Sequence, residues 1–160
     1  MHRRASELIE TLGLQPHPEG GFYRELYRSD SMVDPGDGRP PRSAMTLIHF
    51  LLADGMFSRW HRVASDEVWQ LVEGAGIELF VADAGFERVS CWPLGSASSE
   101  AGVRVVKAGD WQAARCVGEY GLVTCTVSPG FDFADFEMIS DVPEACDRLR
   151  RRQPQWTCLA

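Results

Sequence analysis

Three side chains placed at strand spacings are equipped to move a proton. His61 follows Gly55 after five intervening residues, Val63 lies two positions on, Glu67 follows after three intervening residues, and Gly74 closes the pattern after six more. Imidazole ordinarily titrates close to neutrality, and a carboxylate beside it can orient the ring or act as acid or base itself. Gln112, a neutral donor and acceptor, suits the binding of a carbonyl or hydroxyl oxygen. Upstream, Glu19-Gly20-Gly21-Phe22-Tyr23-Arg24-Glu25 offers a carboxylate, a phenol and a guanidinium. The run lacks the lysine and following helix of a phosphate-binding loop. Its glycines read instead as a bulge or tight lead into a strand that brings Glu19, Tyr23 and Arg24 to a pocket mouth.

Those residues need strands to hold them. Ala5, Leu8, Ile9 and Leu12 recur at helical spacing and Gly13 follows, so residues 3–12 read as a short amphipathic helix. Beyond it, short apolar segments such as AMTLIHFLLA, FSRWHRV, EVWQLVE, IELFVAD and GLVTCTV alternate with Asp54-Gly55, Gly74-Ala75-Gly76, Ala84-Gly85, Gly95 with its following serines, Gly109 and Gly118. That rhythm predicts an all-β sandwich or barrel. The run from Asp34 to Pro41 is a turn-rich loop. At the other end, Asp141 and Glu144 form a capping-box pattern, Pro143 suits a first helical turn, and Arg148, Arg150, Arg151 and Arg152 lie near the negative end of the helix dipole as a solvated helix terminus. On a strand His61 and Val63 share a face, as do Glu67, Trp69 and Leu71, so imidazole and carboxylate converge if that face lines a barrel.

The spacing from Gly55 to Gly74 resembles the first motif of the cupin superfamily, with Val63 where a second histidine would stand. The segment Lys107 to Gln112 is similar to the second motif, with Gln112 in place of a histidine. Four ordered blocks, Leu14–Glu25, Trp60–Trp69, Ala108–Ala114 and Cys125–Phe136, resemble the DUF985 branch of cupins, also called cupin 5, in which both histidine replacements are usual. The resemblance implies a double-stranded β-helix, the jelly-roll barrel, with short N- and C-terminal helices. It further implies one cupin domain over residues 1–160 with a core at about 20–138, a pocket inside the barrel, and usually a homodimer. Deoxysugar epimerases and isomerases are the nearest structural analogies that it offers.

The reading favoured by these residues is proton transfer of the isomerase or epimerase type on a polar, carbohydrate-like or oxo-acid substrate. His61 would take the proton, Glu67 would hold the imidazole, Gln112 would bind the developing enolate oxygen, and Tyr23 would return a proton. Glu19, Arg24, Trp69 and Trp111 complete the expected substrate-binding set. No cofactor is required. A divalent metal, if held, would use His61, Glu67 and Gln112, and metal-assisted lyase or oxygenase chemistry is the alternative, as is a non-catalytic ligand-binding cupin. His17 between two prolines reads as a loop residue, His49 as a core histidine, and Phe131–Phe136 as an amphipathic strand or dimer seam.

Composition narrows the partners. Sixteen basic against 23 acidic residues give a net charge of −7, which argues against nucleic acid and anionic membranes. No run approaches the ~18 apolar residues of a membrane span, and the N-terminus lacks the apolar stretch of a signal peptide. Five cysteines without a CxxC pair read as reduced thiols. A small-molecule ligand, a second copy of the chain and a cytoplasmic location are the expectations.

Overall fold

A computed structural model describes residues 1–95 and 102–160. The turn expected from the serines after Gly95 lies outside the described residues. Helix α1 (Arg3–Leu12) is followed by β1 (Gln15–Pro16), β2 (Phe22–Arg28), β3 (Met32–Val33), β4 (Arg42–Ser43), β5 (Thr46–Ala53), β6 (Phe57–Val63), β7 (Asp66–Gly74) and β8 (Ile77–Ala82). Then come β9 (Val89–Leu94), β10 (Val103–Val106), β11 (Trp111–Cys116), β12 (Tyr120–Ser128), β13 (Phe136–Met138) and α2 (Pro143–Arg152). Two antiparallel sheets, ordered β1-β2-β5-β12-β7-β10 and β13-β6-β11-β8-β9, face each other as the expected jelly roll, with β3 and β4 paired separately.

Burial on both faces explains why the central strands read as apolar runs rather than clean alternations. In β5, Phe50 and Leu52 point between the sheets, while Leu51 and Ala53 point outward beneath α1 with Ala5 and Leu8. In β8, Leu79 and Val81 point inward, while Phe80 and Ala82 point outward to a second core built with Ala145, Leu149 and Leu159. Each sheet thus carries one terminal helix on its outer face. Helix α1 ends as predicted, with Gly13 in the left-handed region at φ +63°.

The capping box at α2 does not form. Val142 is the N-cap and no side chain caps the helix, because Asp141 belongs to a preceding 3-10 turn, Ile139–Asp141. Nor is the arginine cluster simply solvated. Arg148 donates to the Ala84 carbonyl at 3.0 Å, and Arg152 donates to the Gly85 carbonyl at 3.0 Å and pairs with Glu87, so α2 is clasped to the turn after β8. A second clasp controls the open end of the barrel. Asp135 accepts from Arg42 Nε and Nη2 at 2.8 and 2.9 Å and from Arg39 Nη1 at 2.8 Å, tying the Asp34–Pro41 loop to the turn that carries Phe133 and Phe136. Among the described residues no helix is long and apolar enough to cross a membrane, and all five cysteines are unpaired.

Candidate functional site

Two glycines place the first acid. Gly20 has φ +114° and a Cβ there would lie 2.3 Å from the Phe57 carbonyl oxygen; Gly21 has φ +68° and a Cβ there would lie 2.7 Å from the Leu51 carbonyl oxygen. Only glycine allows the 17–21 turn to press this close to β5 and β6. The Arg59 amide then donates to the Glu19 carbonyl at 2.8 Å. The Glu19 side chain consequently points inside, where Oε1 accepts from Ser58 Oγ at 2.8 Å and Oε2 lies 3.3 Å from both His17 Nδ1 and His61 Nε2.

Hydrogen-bond chemistry assigns the tautomer of His61 and the orientation of Gln112. His61 Nδ1 is 2.8 Å from the Arg59 carbonyl, which can only accept, so Nδ1 carries a proton. Trp69 Nε1, which can only donate, is 3.0 Å from Gln112 Oε1, so the amide nitrogen of Gln112 turns the other way. That nitrogen donates to Glu67 Oε2 at 2.6 Å and to His61 Nε2 at 3.0 Å. His61 Nε2 therefore faces a donor, Gln112, and an acceptor, Glu19. When neutral it accepts from the amide, and when protonated it donates to the carboxylate. His17 Nδ1 repeats the arrangement, lying 3.3 Å from the Glu19 backbone N–H and 3.3 Å from the Glu19 carboxylate.

The two buried acids differ in kind. Burial pushes Glu19 up, but the His61 charge, His17 and Ser58 outweigh it and hold the carboxyl below the ordinary glutamate range. Burial dominates at Glu67 and raises it, with Glu19 adding to the rise and His61 and Gln112 opposing it. Cys125, whose thiol bonds to Glu67, is pushed well above the usual thiol range by burial and then by the charges of Glu67 and Glu19. It remains a neutral donor.

His17, Glu19, His61, Glu67 and Cys125 wall a cavity of about 510 Å³ between the sheets, lined also by Tyr23, Phe50, Trp69, Phe131, Phe133 and Phe136. His61, Glu67, Tyr23, Glu19, Arg24 and Trp69 all reach it. Glu19 lies deep beside His61 rather than at the mouth, whereas Arg24 donates Nη1 to the Leu12 carbonyl at 2.8 Å. Glu67 does not hold the imidazole directly; Glu19 and Gln112 do, and Glu67 grips Gln112. Gln112 is fully buried and absent from the cavity wall, with its donors and acceptor engaged by protein, so it positions the other groups and does not touch a ligand.

Trp111 is not a cavity residue. It alternates with Gln112 along β11 and packs in the outer core near α2, with Arg62 4.8 Å over its ring. His17 lies in the loop between β1 and β2 as expected, but its side chain enters the site, its ring edge-on to Tyr23 at 4.6 Å. His49 faces outward, half-buried, its Nδ1 unpartnered. The Phe131–Phe136 block is a strand only from Phe136 onward, after a 3-10 turn at Phe133–Asp135, and Phe131, Phe133 and Phe136 line the cavity. His17, Ser58 and Cys125 are the site residues that the spacing reading passed over. The His17-x-Glu19 pair directly before two glycines is the signal that marks the first of them.

His61, Glu67 and Gln112 do not fit a metal ion as arranged. The Gln112 amide nitrogen, a donor with no lone pair to offer, stands between the imidazole and the carboxylate. Among the described residues no group of three or more His, Cys, Asp and Glu side chains is arranged to hold one.

The sequence profile described as cupin superfamily (DUF985) matches residues 6–139. The chain belongs to the DUF985 family of cupins. This cupin is similar in structure to a hypothetical protein from Leishmania major, with 30% identity, a TM-score of 0.82 and coverage of 97% of this chain and 95% of that one. A protein from Shewanella oneidensis is 32% identical over 97% of this cupin and 93% of its own chain, with a TM-score of 0.80. Oxalate decarboxylase from Bacillus subtilis shares the fold alone, at 12% identity and a TM-score of 0.59 over 80% of this cupin and 30% of that chain. No curated protein matches the sequence.

Proposed function

We propose that this cupin catalyses isomerase- or epimerase-type proton transfer on a polar, carbohydrate-like or oxo-acid small molecule bound between its sheets. The observation that carries the reading is the double partnership of His61 Nε2, with an amide donor at 3.0 Å and a carboxylate at 3.3 Å. A catalyst that removes a proton and returns it must be stable in both protonation states, and each state of His61 has a partner waiting. His61 Nε2 releases its bond from the Gln112 amide and takes the proton from carbon next to a carbonyl, the electron pair of that C–H bond passes to the carbonyl oxygen as an enolate, and Glu19 accepts from the imidazolium that results. Glu19 thereby assumes the role that spacing assigned to Glu67. Gln112 and Trp69 hold the geometry, and Tyr23, half-buried on the cavity wall, returns a proton.

The exposed Val72, Val103 and Val105 on the outer face of neighbouring strands β7 and β10 support a homodimer. The catalytic reading is tested by incubating the protein with aldoses, ketoses and short oxo acids in D2O and following the carbon-bound proton next to the carbonyl by NMR. Exchange in the wild type that disappears in His61→Ala supports it. A compound that binds tightly with no exchange moves the protein to the ligand-binding class, and exchange that survives His61→Ala removes His61 from the mechanism.

A further inference from the structure

The cavity has acids in its depth and aromatic rings on its sides, and among the described lining residues its one guanidinium, Arg24, stands at the rim. Glu19 and Glu67 are buried on its inner wall. Arg24 is the single Arg or Lys among the described lining residues, and it stands at the rim with Nη1 committed to the Leu12 carbonyl. The neighbouring rim acid, Glu25, accepts from Arg28 Nε and Nη2 at 3.1 and 2.7 Å, so that pair adds no net charge. The two imidazoles that could welcome an anion both turn a nitrogen to Glu19.

We infer that the cavity takes a flat ring compound carrying no negative charge, and turns away carboxylates and phosphates. Three physical facts act together. Phe50, Trp69, Phe133 and Phe136 make much of the wall aromatic, and aromatic faces carry negative quadrupole density that favours flat rings and cations over anions. An anion inside would meet the Glu19 carboxylate in an interior that screens charge far less than water does. Leaving water also costs an anion more than any other ligand unless fixed donors replace its hydration, and here the Gln112 amide is already spent on protein partners. The volume, about 510 Å³, accommodates a single ring with substituents. The inference rests on the cavity being the substrate site, and it narrows the proton-transfer reading to uncharged carbonyl compounds with a flat ring by removing oxo acids.

The test uses three ligands of one shape and different charge: benzamidine, benzamide and benzoate. Their affinities for the intact protein at neutral pH are read by calorimetry and by tryptophan fluorescence. Benzamide is expected to bind at least about tenfold more tightly than benzoate, a difference of about 1.4 kcal/mol, with benzamidine equal to or tighter than benzamide. Glu19→Gln should narrow the gap between benzamide and benzoate, and Glu67→Gln provides the same comparison should the first variant fold poorly. Benzoate binding as tightly as benzamide, or none of the three binding at millimolar concentration, overturns the inference. Because the series is read without turnover, a failed D2O exchange experiment leaves the charge preference standing, and a reversed charge order leaves the exchange chemistry standing.

Discussion

Replacing Gln112 by leucine keeps the side-chain volume close to the original and removes every polar atom at the junction of the network. Three groups then lose a partner at once: Trp69 Nε1 at 3.0 Å, His61 Nε2 at 3.0 Å and Glu67 Oε2 at 2.6 Å. A neutral buried group left unpaired costs about 1–3 kcal/mol and a charged one more, so the low end of the three together is about 3 kcal/mol. At about 2–4 °C per kcal/mol for a chain of this length, the melting temperature should fall by about 6–12 °C. Gln112→Glu gives a different signature. One new oxygen still accepts from Trp69, but the other takes the amide nitrogen's place within hydrogen-bond distance of Glu67 Oε2, and two carboxylates that close share one proton. The folded protein then keeps a proton that the unfolded chain releases, so stability is full below the ordinary glutamate range and is lost as pH rises through the pair's raised folded pKa. Glu67, already raised by burial, gives the wild type a slope of the same sign, and Gln112→Glu should steepen it. Urea denaturation followed by tryptophan fluorescence across acid and alkaline pH measures both. A Gln112→Leu loss under about 1 kcal/mol, or a Gln112→Glu loss that does not grow with pH, would refute the claim that this amide is the hub.

Glu19 has the opposite linkage. Its folded pKa is lowered, so its contribution to stability is present above the ordinary glutamate value and lost as pH falls through the folded one; thermal melts of Glu19→Gln should lose part of the wild type's acid-side decline. On the outer face of β10, the double substitution of Val103 and Val105 by glutamate should yield monomers in sedimentation velocity with an unchanged melting profile apart from its concentration dependence. A variant that stays dimeric removes that face from the interface.

Strand positions and faces were legible because period-two alternation and glycine turns are local properties. Gly13 closing α1, Gly74 ending β7 and the inward set Glu67, Trp69 and Leu71 can each be read within a few residues. Alternation also separates Trp111 from Gln112, since neighbours on a strand cannot both face the cavity. What sequence spacing does not carry is depth along the barrel. Glu19 and Glu67 both point inward, and the choice of which one meets His61 is made by how far the 17–21 turn slides along β6, a matter of two non-local backbone contacts. The partnership of Arg39 and Arg42 with Asp135, about ninety residues away in sequence, was beyond reach for the same reason. The capping box at α2 failed because a 3-10 turn claimed Asp141 first.

The bond from the Arg59 amide to the Glu19 carbonyl has a consequence for time as well as place. That bond holds the Glu19 backbone beside the two imidazoles, so the lifetime of the assembled site is the time that the 17–21 turn stays docked on β6. A ligand that depends on the assembled site must lengthen it. The hydrogen of one backbone amide, Arg59, thus keeps the time for the whole cavity, exchanging with solvent at a rate that slows as the site fills.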